Sequence, residues 1–266
     1  MPRLGFGTYR LAPGDETELA VLWALEAGYR NVDTAALYGN EESVAAGITS
    51  SGLAREDVFV ATKLWNDDQG YETTLRAFDR SLARLGFDYV DLYLVHWPYP
   101  ARMRDTWRAM EEIAESGRAR AIGVCNHLEH HLDALLEHAT RCPAVDQVEF
   151  HPRLQQPSLQ RRCAKLGIVL EAWAPLMRGG VAEIPEIVEI ARRHGRTPAQ
   201  VSLRWILQKG HVAIPKSSHL DRINENADVF GFNLSDEEIA TIDGLDKGTR
   251  IGPDPDRYVQ EHAAPR

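Results

Sequence analysis

One repeated unit limits most strongly what this chain can fold into: a short apolar run, a polar loop, then a stretch with helical spacing. The first four runs are RLGFGTY (3–9), RNVDTA (30–35), VFVATKL (58–64) and VDLYLVHW (90–97). The next four are RAIGVCN (120–126), VDQVEFH (145–151), IVLEAW (168–173) and VAIPKS (212–217). Near-continuous apolar runs of this length belong to strands buried on both faces.

Helical patterns fill the gaps. ETELAVLWALEAG (16–28), ETTLRAFDRSLARLG (72–86) and RDTWRAMEEIAESG (104–117) each end on a glycine suited to a C-terminal cap. LEHHLDALLEHA (128–139) and SLQRRCAKLG (158–167) follow. PEIVEIARRHG and TPAQVSLRWILQKG lie before the eighth run, the second opened by Thr197 as N-cap and Pro198 at the first helical position. DRINENADVFG and LSDEEIATIDGL come after it, with Ser235 and Glu238 at capping-box spacing. Eightfold alternation predicts an α/β fold, a (β/α)8 TIM barrel with C-terminal helices and a tail over the barrel. No linker or composition break divides residues 1–266, so a single domain is expected. The last stretch, with Pro253, Pro255 and Pro265, is expected to be an irregular tail over one barrel face.

Composition narrows the function. Hydrophobic residues at 44% and charged residues at 26% match an ordinary soluble globular protein. A net charge of −9 argues against nucleic-acid binding, which needs clustered cations, but leaves room for a local cationic pocket. Cys125, Cys142 and Cys163 lack metal-type spacing, so reduced thiols in a cytoplasmic protein are expected. The start MPRLGFGTYR has no apolar core of a signal peptide, and no apolar run is long enough to span a membrane.

In such a barrel the chemistry sits at the C-terminal ends of the strands. Those ends carry Asp33 with Tyr38 in the next loop, then Lys63, His96 and Asn126. They continue with Gln147, Glu149 and His151, then Trp173, then Lys216 and Ser217. A lone Asp here is more often a turn former, and a lone Lys usually reaches to water. An Asp and a Lys inside apolar runs are costly unless paired, and neighbouring strands make the pairing available. An ammonium near a phenol favours the phenolate. Asp33, Lys63 and Tyr38 therefore make sense together as a tuned general acid, with His96 able to bond a carbonyl oxygen.

The ordered motifs NVDTAALYGNE, VFVATKLW, DLYLVHWP, AIGVCN, VDQVEFHP, LEAWAPL and VAIPKS resemble those of the aldo-keto reductases over almost the whole chain. Within that family the similarity is greatest to bacterial glyoxal/methylglyoxal reductases and 2,5-diketo-gluconate reductases. The resemblance implies a catalytic tetrad of Asp33, Tyr38, Lys63 and His96, with Tyr38 donating a proton and Lys63 lowering its pKa. It implies a nicotinamide cofactor across the barrel mouth, NADPH rather than NADH. Asn126 and Gln147 would hold the carboxamide, Trp173 would stack on the nicotinamide ring, Ala174, Pro175 and Leu176 would line the pyrophosphate, and Thr8 would also bind the cofactor. Lys216, Ser217 and Arg222 would hold the 2′-phosphate, with Glu225 and Asn226 near the adenine. Tyr9, Leu37, Trp65, His96 and Trp97 would line a small, partly apolar substrate mouth.

The implied activity is reduction of small aldehydes, α-dicarbonyls such as glyoxal and methylglyoxal, and ketones. A sugar-ketone (2,5-diketo-gluconate) reductase is the alternative within the family, and a cytoplasmic monomer is the expected form. GFGTYR lacks the third glycine of the Rossmann fingerprint, in keeping with a barrel that binds its dinucleotide differently. Cys125, His127 and Trp173 depart from the commonest family residues. Two readings of other classes compete: a metal-dependent barrel hydrolase using Asp33, His96, Glu149 and His151, and a non-catalytic nicotinamide-binding regulatory subunit. The pair His127 and His131 could offer metal ligands at i, i+4, but a solvated helix start is the expected reading, and no resident metal is expected.

Overall fold

A computed structural model describes residues 1–262, without the side chains of 259–262. Eight strands pair in chain order, all parallel: β1 (Phe6–Gly7), β2 (Asn31–Asp33), β3 (Phe59–Leu64), β4 (Val90–Val95), β5 (Ala119–Cys125), β6 (Val145–Glu149), β7 (Val169–Trp173) and β8 (Val212–Ala213). The sheet closes between its ends, where Gly5 N–H donates to the Ala213 carbonyl at 2.9 Å and Ala213 N–H to that of Arg3 at 3.0 Å. Among the described residues, closure leaves no edge strand exposed. All eight predicted runs are strands of this (β/α)8 barrel, although the first and last are each only two residues long.

The helices are α1 (Asp15–Glu26), α2 (Glu41–Ser50), α3 (Tyr71–Leu85), α4 (Pro100–Glu115), α5 (Glu129–Leu136), α6 (Pro157–Leu166), α7 (Pro185–His194), α8 (Pro198–Gln208), α9 (Leu220–Ala227), α10 (Asp236–Asp243) and α11 (Pro255–His262). The expected caps form. Thr197 Oγ1 accepts from Gln200 N–H at 3.2 Å, and Ser235 Oγ accepts from Glu238 N–H at 3.2 Å. Two elements differ from the sequence reading. Helix α2 is absent from it because EESVAAGITS has few large apolar residues. Its buried face is Glu41, Val44, Gly47 and Ile48, and Gly47 allows α1 so close that a Cβ would lie 2.6 Å from the Glu18 carbonyl. The tail is not irregular among the described residues: Pro255 starts α11, a position where its missing N–H costs nothing, while Pro265 lies outside the described residues.

The strand period of two sorts the core into layers. Leu92 and Leu94 point into the barrel with Ala61, Cys125 and Val145, while Tyr93 and Val95 face the helices with Val60, Val124 and Val148. Above the apolar plug, the barrel interior turns polar towards the C-terminal strand ends. Among the described residues, no helix is long and apolar enough to cross a membrane.

Candidate active site

Lys63 is fully buried on β3, and its Nζ donates to Asp33 Oδ1 on β2 at 2.6 Å and to the Thr34 carbonyl at 2.8 Å. The same Nζ lies 3.3 Å from the Tyr38 hydroxyl. Tyr38 hangs from a single helical turn (Ala36–Tyr38) after β2, closed by Gly39 in the left-handed region at φ 66°. Thr8 fixes this corner, since its backbone N–H and Oγ1 both donate to the Asp33 carbonyl, at 3.0 and 2.9 Å. The Tyr38 and His96 rings meet edge to face with centroids 5.8 Å apart, and Trp65 meets His96 in the same way at 5.3 Å. Asp33, Tyr38, Lys63 and His96 thus come together at one end of the barrel.

Their electrostatics follow from burial and from the charges of Lys63 and Asp33. Burial works against the charge of Lys63, but Asp33 and then Tyr38 hold its pKa above the ordinary lysine value. Burial, then the Lys63 charge, keeps His96 well below the ordinary imidazole value, so it is neutral at pH 7. Tyr38 corrects the sequence reading. Lys63 does draw the phenol down, but burial of the hydroxyl outweighs it and the net direction is upward. A fully protonated donor results, held against an ammonium.

Under this cluster lies a network across the barrel. Gln147 Nε2 on β6 donates to Asp33 Oδ2 and to Glu171 Oε2 on β7, each at 2.8 Å. Strands β2 and β6 are not neighbours, so these bonds run through the interior. Glu171 is missing from the sequence-based site. It stands in the middle of IVLEAW, and a carboxylate within a buried run was the available signal.

Asn126, at φ 60°, donates from Nδ2 to the His96 carbonyl and accepts at Oδ1 from Trp173 Nε1, both at 2.9 Å. Each end of its amide keeps one further hydrogen-bonding position. Gln147 Oε1 accepts from no protein group among the described residues. Ala174 is also left-handed, at φ 51°, so the chain bends sharply before Pro175 and Leu176. Beyond β8, Lys216 and Arg222 are exposed with no acidic partner among the described residues, and Ser217 Oγ accepts from His219 N–H at 3.0 Å. Glu225 is tied to Thr197 Oγ1 at 2.7 Å, and Asn226 is buried beside it. The free amide end and the unpaired cations fit the two ends of a nicotinamide dinucleotide phosphate.

At the mouth, Tyr9 packs on Tyr38 with centroids 5.0 Å apart, Leu37 is exposed, and Trp97 stacks on Tyr258 of α11 at 4.1 Å. The tail arrives there because buried Glu149 accepts from the Ile251 and Gly252 N–H groups at 2.6 and 3.1 Å. Gly252 touches Trp173 so closely that a Cβ would lie 2.3 Å from its ring.

The residues of the hydrolase reading do not gather around one point: Glu149 and His151 pair at 3.0 Å beneath the tail. His127 is not solvated. It is fully buried and donates from Nδ1 to the Cys125 carbonyl at 2.8 Å. His130, His131 and Asp256 do converge. However, Leu128 N–H donates to His131 Nδ1 at 3.1 Å, so Nε2 carries the proton and donates to Asp256 at 3.2 Å. The trio is a hydrogen-bonded tie between α5 and α11.

The sequence pattern of the aldo/keto reductase family matches residues 3–247. Glyoxal reductase of Bacillus subtilis (strain 168) is 52% identical over 259 residues, covering 97% of this chain and 94% of its own. The crystal structure of MGS-M4, an aldo-keto reductase from a Medee basin deep-sea metagenome library, superposes with TM-score 0.94 at 45% identity, covering 96% of this chain and 95% of its own. A Bombyx mori aldo-keto reductase in complex with NADP superposes at 0.90 with 34% identity, covering 97% and 93%.

Proposed function

Since the chain belongs to the aldo/keto reductase family and is an oxidoreductase acting on carbonyls, we propose that it reduces small aldehydes, glyoxal-type α-dicarbonyls and ketones with NADPH. The observation that carries this reading is the Asp33–Lys63–Tyr38 chain, at 2.6 and 3.3 Å, beside a neutral His96. A reduced nicotinamide supplies the hydride when bound. Asn126 and Gln147 would hold its carboxamide, and Trp173 would bear its ring. Lys216, Ser217 and Arg222 would hold the 2′-phosphate.

Reduction of a carbonyl builds negative charge on its oxygen. The Tyr38 hydroxyl is placed to give its proton to that oxygen. Lys63 then faces the phenolate, and its charge, secured by Asp33, stabilises it. Neutral His96 offers a hydrogen bond without competing as an acid. The mouth residues Tyr9, Leu37, Trp65 and Trp97 are aromatic or apolar and carry no charge, which favours small uncharged carbonyls over sugar acids. The high identity to a protein named glyoxal reductase supports that substrate class.

The test is NADPH oxidation with methylglyoxal, followed at the reduced-nicotinamide absorbance, for wild type and Tyr38→Phe. The variant is expected to bind NADPH normally and to lose turnover by roughly a hundredfold or more. Full turnover in Tyr38→Phe refutes the mechanism. A wild type that binds NADPH but reduces no carbonyl favours the regulatory-subunit reading.

A further inference from the structure

The barrel interior also holds a carboxyl group that the proposed chemistry does not use. Glu171 is fully buried and sits across β6–β7 from Gln147 in register. The charged and titratable groups facing it are Asp33 from β2, Lys63 from β3 and the Cys125 thiol from β5. Its neutral partners are Gln147 and Asn31. One lysine therefore serves two carboxylates, and of the two it is Asp33 that it contacts directly.

The amides show how the second carboxylate is accommodated. Gln147 spends its Nε2 on both acids, which fixes the orientation of its amide and leaves Oε1 without a protein partner among the described residues. Asn31 makes only a long contact, Nδ2 to Glu171 Oε1 at 3.4 Å, while its own Oδ1 is buried without a partner. Reversing the Asn31 amide would present that oxygen to Glu171. It could then accept a proton carried on Glu171, so the pocket suits both the ionised and the protonated acid.

We propose that Glu171 is a positioning residue whose proton occupancy couples to the redox state of the nicotinamide: ionised, it favours the cationic oxidised ring; protonated, it favours the neutral reduced ring. The proposal rests on the nicotinamide reading above. Gln147 links the two, touching Glu171 at one end and offering the other to a carboxamide. Burial, then the Asp33 charge, pushes the Glu171 carboxyl up to about 7, so the exchange falls within the working range. Linkage makes it reciprocal: binding the oxidised cofactor favours release of the proton from Glu171.

Titration calorimetry of NADP+ and NADPH against the full-length protein, from about pH 6 to about pH 8, tests this around the ordinary histidine range. Both cofactors carry the same 2′-phosphate, so its titration cancels in the ratio of their dissociation constants. In wild type, Kd(NADPH)/Kd(NADP+) is expected to rise on the order of tenfold as pH increases, because a buried charge acts on a nearby cation. In Glu171→Gln the ratio should be flat, and NADP+ binding should no longer release a proton. A second readout needs no variant: the heat of NADP+ binding in wild type should change between buffers of different ionisation enthalpy. A flat wild-type ratio, or an unaltered slope in a folded Glu171→Gln, overturns the proposal. Failure of wild type to bind either cofactor overturns the nicotinamide reading itself.

Discussion

Replacing Asp33 by Asn tests the energetic centre of the site. Asp33 and Lys63 are 2.6 Å apart with side chains 3% and 0% exposed. At an effective dielectric of ~20, the attraction at that separation is about 6 kcal/mol, set against the cost of desolvating both charges. Removing one partner of a buried pair typically costs about 3–5 kcal/mol, because the other charge is stranded.

Asn is nearly isosteric but cannot serve both neighbours. If its oxygen faces Lys63, its NH2 group opposes the Gln147 Nε2 donor; reversed, it opposes the ammonium. Part of the loss returns through Glu171. Without the Asp33 charge its carboxyl drops back towards the ordinary range and supplies a countercharge across the barrel. The expected loss is therefore at the lower end, about 3 kcal/mol.

Urea denaturation at pH 7, followed by circular dichroism, measures it. The sign with pH is fixed too. Lys63 is held above its unfolded value, so the pair's contribution is complete below that value and disappears only as pH rises through the folded one. Once Glu171 is ionised in both proteins, the gap between wild type and Asp33→Asn should be constant across mildly alkaline pH and close at strongly alkaline pH. A variant within about 0.5 kcal/mol of wild type at pH 7, the scatter of a neutral surface change, refutes the reasoning.

His127 gives a prediction at acid pH. Burial lowers its pKa to about 3, so from the ordinary histidine value downwards the unfolded chain binds a proton that the native state refuses. Stability should fall by about 2 kcal/mol from this group between pH 7 and pH 5, and His127→Phe should remove that share of the acid loss in paired urea titrations. Glu149→Gln should weaken the hold on Ile251 and Gly252 by about 1–2 kcal/mol. Their amides should exchange with solvent roughly tenfold faster or more, and unchanged exchange would mean that Glu149 does not anchor the tail. Arg222→Ala should weaken NADPH binding by about tenfold and leave NADH binding nearly unchanged, the loss of one charge-assisted contact to phosphate; equal losses would place the 2′-phosphate elsewhere.

The barrel could be read because its strands are buried on both faces and so appear as continuous apolar runs, which local pattern captures. Helix α2 could not, because its packing depends on the small surface of Gly47 against α1, and small residues carry little periodic signal. The tail escaped for a related reason: α11 is positioned by Glu149 gripping the Ile251 and Gly252 amides far along the chain. At the site, Asp33 and Lys63 stood out because a charge inside an apolar run demands a partner. The same argument applied to Glu171 in IVLEAW, but its partner is a glutamine shared with Asp33. That bridge exists only once β2, β6 and β7 close around one axis. The net pKa direction of Tyr38 was hidden for a third reason. A neighbouring lysine is visible as chain order, whereas the burial that outweighs it depends on every wall of the mouth at once. Pairwise chemistry could thus be inferred from residue identity, and its balance could not. In this barrel that balance is one ammonium among two carboxylates and a phenol, and the protonation of Glu171 is the term that remains free to change.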